Sequence, residues 1–567
     1  MSEKPTERIA ATPSSDGRST PTAVEQPNIH DGSPTSKQLV QRRKPIAAWR
    51  LVVIFACIGI GLFLSLLDAT VVATMLIDIG QEFNDFRTSS WVVLAYTLTE
   101  VGFAVAMSRL SDAFGRKTVV CTSFFIFLVA SMGCGASKTL DQLIGFRAAQ
   151  GVGGAGLYAM AMITYPELSP PTKVVYVTSA LGVIVAFAGV LGPVLGGLLT
   201  TYVNWRYAFW INGPCAFVPL VLLLFVWPKD YQLFVKIDFR LLDYFGALLV
   251  LVGTILPVFI INQAAIRDYA WNSATAIIVL ILGGLAWPIL VIWQRILAKS
   301  PRFSHIRPQL PWRILSSRVL MAAIIDTLLS GFVLLLAIIN IPLRSQIVNV
   351  YEPVKAGVLL LPMMGGGAVG CAIGGGLSLR RNNTFPTLLA ASVIIAVACG
   401  ILTTLEAEFI PPRRQWAAEV ILGLGLGLKL SSSTFLSVLE SEFEDHAISQ
   451  GIIAQMRVFG GSLGVASSII VLINKIQTVL GDNLSESQLQ DFYRNPLIIL
   501  TFAPDNATKA RDAFIEGFRE DMYICIGMSC ASFVVSLFTF QRHPPSVKSK
   551  LASLEAELAQ LNEAAVV

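Results

Sequence analysis

The sequence predicts an all-α integral membrane protein of about fourteen transmembrane helices, arranged as two six-helix halves with two extra helices between them. Three observations predict it. Of 567 residues, 54% are apolar and only 14% are charged, with a mean hydropathy of +0.65, whereas a soluble domain carries roughly 25% charged residues. The apolar residues gather into fourteen segments suited to a hydrocarbon core ~30 Å thick. Lys and Arg concentrate in alternate loops. A soluble domain, a disordered scaffold and a nucleic-acid binder are disfavoured, and a net charge of +5 identifies no polyanionic partner.

In chain order, residues 1–49 are rich in Ser, Thr, Pro and charge and read as a disordered cytoplasmic tail, not a cleaved leader. The N-terminal half, 50–228, holds apolar segments 51–76, 90–108, 118–136, 141–165, 174–201 and 207–227. The extra pair, 229–300, holds 242–262 and 274–294. The C-terminal half, 301–541, holds 318–340, 355–379, 385–404, 416–437, 448–472 and 521–540, with an outer loop at 473–520. Residues 542–567 form a second cytoplasmic tail, whose Leu551, Leu554, Leu558 and Leu561 repeat too briefly for a coiled coil. Segments 416–437 and 448–472 are the weakest, because Lys429 and Arg457 interrupt them.

With the N-terminus cytoplasmic, one side receives Arg42, Arg43, Lys44 and Arg50, then Arg109, Arg116 and Lys117, then Lys229, Lys236 and Arg240, then the basic loop 295–313, then Arg380 and Arg381, and finally Arg542, Lys548 and Lys550. Both termini then face the cytoplasm. Glu440, Glu442, Glu444 and Asp445 fall on that side too, but acids contribute little to orientation. The sequons at Asn483 and Asn506 fall outside and are candidate glycosylation sites, whereas the one at Asn382 falls inside.

The eight cysteines lie in or beside apolar runs without metal-ligand spacing, and the four histidines form no cluster, so no metal site and no cofactor are expected. No phosphate loop or nucleophile constellation appears, which argues against ATP drive and against an enzyme.

Charged groups inside the apolar segments carry the functional signal. Asp68 stands ~26 Å from the inner face and Arg147 ~9 Å from the outer one by helical rise, so both lie in the outer half of the bilayer. A charge there costs at least ~2.5–3.5 kcal/mol unless paired or wet, so these two are expected to be partners. Glu100, ~15 Å along its segment, and Asp326, ~12 Å along its own, are candidates for a proton site, a cation-binding group or a Ser/Thr-bonded structural acid. If both face the cavity, weakly basic compounds are preferred. Arg457 and Lys429 are further cavity candidates, with snorkelling at a helix end favoured for Lys429. The loop Ser108-Arg109-Leu110-Ser111-Asp112-Ala113-Phe114-Gly115-Arg116-Lys117 suits a latch in which Asp pairs with guanidinium and Gly makes the tight turn. Gly376 to Arg381 echoes it in the second half. Gly189, Gly192, Pro193, Gly196 and Gly197 allow close helix approach and a kink, and Trp205, Tyr207 and Trp210 suit an interfacial aromatic belt.

In this order and spacing, over roughly residues 50–540, these motifs resemble the major facilitator superfamily, specifically its fourteen-span drug:proton antiporter branch. The resemblance implies proton coupling by Asp68 and Arg147, gating by Asp112, Gly115, Arg116 and Lys117, and an antiporter motif at Gly189 to Gly197, while the intramembrane position of Glu100 adds it to the proton-coupling candidates and leaves Glu100, Asp326 and Arg457 as the substrate-cavity candidates. It implies a monomeric exporter of small, mostly apolar organic compounds such as drugs, toxins or secondary metabolites, in the plasma or vacuolar membrane. A siderophore or nutrient carrier, or a nutrient-sensing receptor of the same fold, is the alternative. The pattern departs at Ser108, where the family usually has Gly, at Ile77, where it has Pro, and at Glu100, where it has a small or hydroxyl residue.

Overall fold

Fourteen long helices order the chain in the computed structural model, which describes residues 47–72, 75–83, 86–89, 91–169, 174–228, 241–265, 267, 269–303, 305–378, 382–406, 410–442, 445–480 and 504–546. We label them α1 (Ala48–Val71), α2 (Trp91–Phe114), α3 (Arg116–Ala136), α4 (Leu140–Leu168), α5 (Val174–Tyr202), α6 (Arg206–Val226), α7 (Tyr244–Ala265) and α8 (Ala274–Lys299). The second half supplies α9 (Arg318–Ile347), α10 (Leu361–Ser378), α11 (Thr384–Leu402), α12 (Arg413–Glu440), α13 (His446–Leu480) and α14 (Pro504–Leu537).

Thirteen of the described helices are long and apolar enough to cross a membrane. The helix missing from that set is α4, and its packing explains why. Its Gly151 lies against Thr99 and the Tyr96 carbonyl of α2, its Gly153 against the Phe127 backbone of α3, and its Gly154 against Tyr96 and Ser65 of α1. Because α4 is surrounded by other helices, its surface need not match lipid, and it can carry Arg147 and Gln150 fully buried. The opposite case is α8, which turns Ile278, Ile281, Leu282, Leu285 and Ile292 outward and keeps Ala276, Gly283, Ala286, Leu290 and Gln294 inward.

The two six-helix halves repeat one packing scheme. In the first, α2 packs on α4, α1 on α5, α3 on α4 and α6, and α1 on α6; in the second, α10 packs on α12, α9 on α13, α11 on α12 and α14, and α9 on α14. The halves meet through α5 with α10 and α2 with α13, and α7 bridges α2 and α13 while carrying α8 on its far side. Close approach in the second half needs glycine: a side chain on Gly423 or Gly427 of α12 would run into the backbone of Met363 or Gly367 on α10.

One expectation shifts. The polar segment 473–520 is not simply a loop, since α13 runs on to Leu480 and α14 starts at Pro504. Asn483 and the leucine repeat 551–561 lie outside the described residues, as do Lys229, Lys236, Arg240, Arg380 and Arg381. Asn506 is in the first turn of α14. None of the eight cysteines is in a disulfide; six are buried, and Cys215 and Cys530 are exposed.

Candidate functional site

Asp68 and Arg147 meet inside the first half. Both are fully buried, and an Arg147 guanidinium nitrogen donates to Asp68 Oδ2. The pair is held by three further hydrogen bonds: Arg147 also donates to Val92 O (2.9 Å) and Gln150 Oε1 (2.8 Å), and Asn212 Nδ2 donates to Asp68 Oδ1 at 2.8 Å. Gln150 is fixed in turn by its bond to Ser131 Oγ (2.7 Å). Arg147 lies over the Tyr96 ring, 4.3 Å from its centroid, which gives the guanidinium face a partner. The helices α1, α2, α3, α4 and α6 thus each contribute at least one polar group to a single cluster.

A second acid adjoins it. Glu100 of α2, 3% exposed, accepts a hydrogen bond from Ser65 Oγ at 2.9 Å, while Tyr96 donates to the Ser65 carbonyl at 2.8 Å. A run of buried polar groups therefore leads from Asp68 through Arg147, Tyr96 and Ser65 to Glu100. Against the other side of Asp68 lies α5: a side chain at Gly192 would strike Thr70 Oγ1 and approach the Leu67 carbonyl. Gly189, Gly192, Pro193, Gly196 and Gly197 all lie on α5, and Gly192 is where close approach to the Asp68 turn requires glycine.

The loop motif forms a charged clasp at the other end of α2. Gly115 joins α2 to α3 as a single residue with φ of 91°, a conformation that favours glycine. Arg116 then pairs with Asp112 (2.6 Å) and with Glu167 of α4 (2.9 Å), and Lys117 donates to the Leu224 carbonyl near the end of α6 (2.8 Å). Arg109 donates to the carbonyls of Pro308 and Gln309 in the segment leading to α9, while Gln309 N donates to Asp243 Oδ2 (3.1 Å), where α7 begins. Ser108 is accommodated because the facing residue on α13 is Gly451, whose added side chain would meet Ser108 Oγ.

Asp326 of α9 is paired. It accepts from Lys429 Nζ at 2.6 Å, Ser532 Oγ at 2.5 Å and Ser536 Oγ at 3.1 Å, and Asp326 and Lys429 are both buried. Lys429 therefore does not snorkel: it sits in the middle of α12, far from either end, and its ammonium is neutralised by Asp326. A cavity lies between α5, α9, α10, α12 and α13, lined by Gly182, Met363, Met364, Leu426, Leu430 and Arg457 among others. Of the four acids and bases offered for it, Arg457 lines it, and Glu100, Asp326 and Lys429 are not among its lining residues.

Other groups were not legible in the sequence. Glu167 completes the clasp, but acids near helix ends carry little topological signal. In the second half Asn340 of α9 donates to Asp521 of α14 at 2.7 Å, and Ser468 of α13 donates to it at 2.6 Å. This repeats the Asp68 and Asn212 pairing of α1 and α6 with acid and amide exchanged. Trp205 is not a belt residue: it is buried and donates to Glu82 Oε2 at 2.6 Å, whereas Tyr207 and Trp210 are exposed on the bundle surface. Glu82 lies on the short helix Leu76–Glu82 beyond the end of α1; partial burial works to raise its pKa, but the Arg206 and Trp205 hydrogen bonds bring it below the usual carboxylate range.

A family model described as Major Facilitator Superfamily matches residues 58–465. The chain is 30% identical over 551 residues to the MFS-type transporter FPY5 of Fusarium mangiferae, covering 95% of this chain and 92% of that one. It is 26% identical over 428 residues to the rubrofusarin-specific efflux pump aurT of Gibberella zeae, covering 74% and 76%. Among solved structures, a bacterial homolog of the human lysosomal transporter Spinster, inward-facing and occupied, superposes with a TM-score of 0.56 at 14% identity, over 88% of this chain and 97% of that one.

Proposed function

The chain belongs to the Major Facilitator Superfamily and is a multi-pass membrane transporter, and on that premise we propose that it is a proton-coupled antiporter exporting small, mostly apolar organic compounds. The observation that carries this reading is the sealed Asp68 and Arg147 pair with Glu100 in reach through Ser65 and Tyr96. A proton arriving at Asp68 removes the charge that balances Arg147, so the pair has two arrangements, joined and parted. Because Gly192 of α5 rests on the Asp68 turn and Gly182 and Val185 of the same helix line the cavity, parting the pair shifts one cavity wall. Substrate bound between the halves is then released outward as they rock. The clasp of Arg116, Asp112 and Glu167 keeps the cytoplasmic end shut meanwhile. Efflux-pump relatives support the direction of transport. The test is accumulation of apolar dyes by inside-out vesicles with an acid lumen: a protonophore should release the dye, and accumulation that survives it would remove proton drive.

In this reading the protein works as a monomer in the plasma membrane, or the vacuolar membrane, with both termini cytoplasmic. The exterior then receives the segment after α13, and the cytoplasm receives residues 300–317. A cysteine placed at position 483 should react with an impermeant maleimide on intact cells, and one at position 305 only after permeabilisation. The reverse pattern would overturn the orientation. Glycosidase-sensitive mass at Asn483 or Asn506 would support it independently.

A further inference from the structure

Arg457 is a basic side chain that the mechanism above leaves unused. It stands in α13 at the cavity wall, 5% exposed, and its hydrogen-bond partners are two neutral hydroxyls: Tyr158 of α4 at 3.2 Å and Ser433 of α12 at 3.4 Å. The buried cations around it are differently provided for: Arg147 meets Asp68, Arg116 meets Asp112 and Glu167, and Lys429 meets Asp326. Among the described residues no carboxylate lies within ion-pair distance of Arg457, and it is the one charged residue in a wall otherwise made of glycines, Met363, Met364, Leu334 and similar groups.

We propose that Arg457 makes this cavity a receptor for organic acids: apolar bodies bearing one carboxylate, phenolate or sulfonate. The proposal names the substrate class of the transport function above and rests on it. A guanidinium at this depth with no counter-ion of its own is completed by an anion that the ligand brings. Two long bonds to hydroxyls are readily exchanged for a forked, charge-assisted pair with a carboxylate, while the apolar wall takes the body of the ligand. Asp326 does not oppose this, because Lys429 cancels its charge, and Glu100 lies off the cavity behind Ser65. The preference for weakly basic compounds that two cavity-facing acids would have created is thereby reversed. Tyr158 also sits on α4, the helix of Arg147, so an anion that draws Arg457 away from Tyr158 links cavity occupancy to the proton-binding half.

Three fluorescent probes with one common ring system separate the possibilities in titrations of the purified chain: dansylglycine as the anion, dansylglycinamide as its neutral counterpart and dansylcadaverine as the cation. The wild-type protein should bind the anion at least about tenfold more tightly than either other probe. Arg457→Gln should remove that preference while retaining the neutral amide, and Arg457→Lys should keep most of it. Tyr158→Phe, which preserves the cation, should leave the ranking intact. Equal loss of all three probes in Arg457→Gln and Arg457→Lys would mean that the arginine only ties α13 to its neighbours, and a wild-type preference for amide or cation, or no saturable binding of the anion, would equally overturn the proposal. The titration needs no proton gradient, so it succeeds or fails separately from the antiport reading.

Discussion

Asp68→Asn abolishes export driven by a pH gradient while the protein still reaches the membrane. The amide preserves the size of the side chain and its one oxygen can still accept from Arg147, but it cannot exchange a proton, so the pair loses one of its two arrangements. Export should fall to the background of vesicles without transporter. Arg147→Ala should be at least as damaging, because it strands a fully buried carboxylate at an expected destabilisation of ~3–5 kcal/mol. The two variants separate coupling from folding: Asp68→Asn should purify as a monodisperse protein and Arg147→Ala should lose yield. Undiminished gradient-driven export by Asp68→Asn would take Asp68 out of the coupling mechanism.

Lys429→Met destabilises the second half strongly. Lys429 and Asp326 are fully buried, and Ser532 and Ser536 solvate the pair without supplying charge. Removing the ammonium leaves Asp326 with two hydroxyls in a low-dielectric interior, an expected cost of ~3–5 kcal/mol. The double variant Asp326→Leu with Lys429→Met removes both charges and should recover most of that loss, since replacing a whole buried pair by apolar groups is often neutral. The check is thermal denaturation in detergent of the two single variants, the double variant and wild type. A Lys429→Met protein that melts with wild type would mean that the pair does not hold α9, α12 and α14 together.

The architecture was legible because lipid imposes one rule on the whole chain: each crossing needs its own run of apolar residues, so segments such as 118–136 and 207–227 nearly coincide with α3 and α6. The rule weakens where a helix does not meet lipid. α12 and α13 carry Lys429 and Arg457 well inside their ends because other helices surround them, and periodicity cannot say which neighbour will meet a buried charge. Asp68 and Arg147 could be matched by depth because their helices run through the same half. Asp326 could not be matched with Lys429, because 103 residues separate them and Lys429 read equally well as a snorkelling side chain. Glu167 and Asp521 stayed hidden for a different reason: each is one acid in a polar stretch, and only the folded chain brings it to Arg116 or to Asn340. The cavity charge followed from none of these arguments, since its sign depends on which of Glu100, Asp326 and Arg457 faces inward.

Obligatory exchange of substrate for protons is the central claim, and proton movement tests it most directly. The protein is reconstituted into liposomes containing a trapped pH-sensitive dye, with valinomycin and equal potassium on both sides to hold the voltage at zero. A transported compound is then imposed as a gradient with no initial pH difference. The account predicts that substrate leaving its concentrated side drives protons the opposite way, and that Asp68→Asn vesicles show no such movement. Substrate flux at an undiminished rate with no accompanying pH change would contradict it.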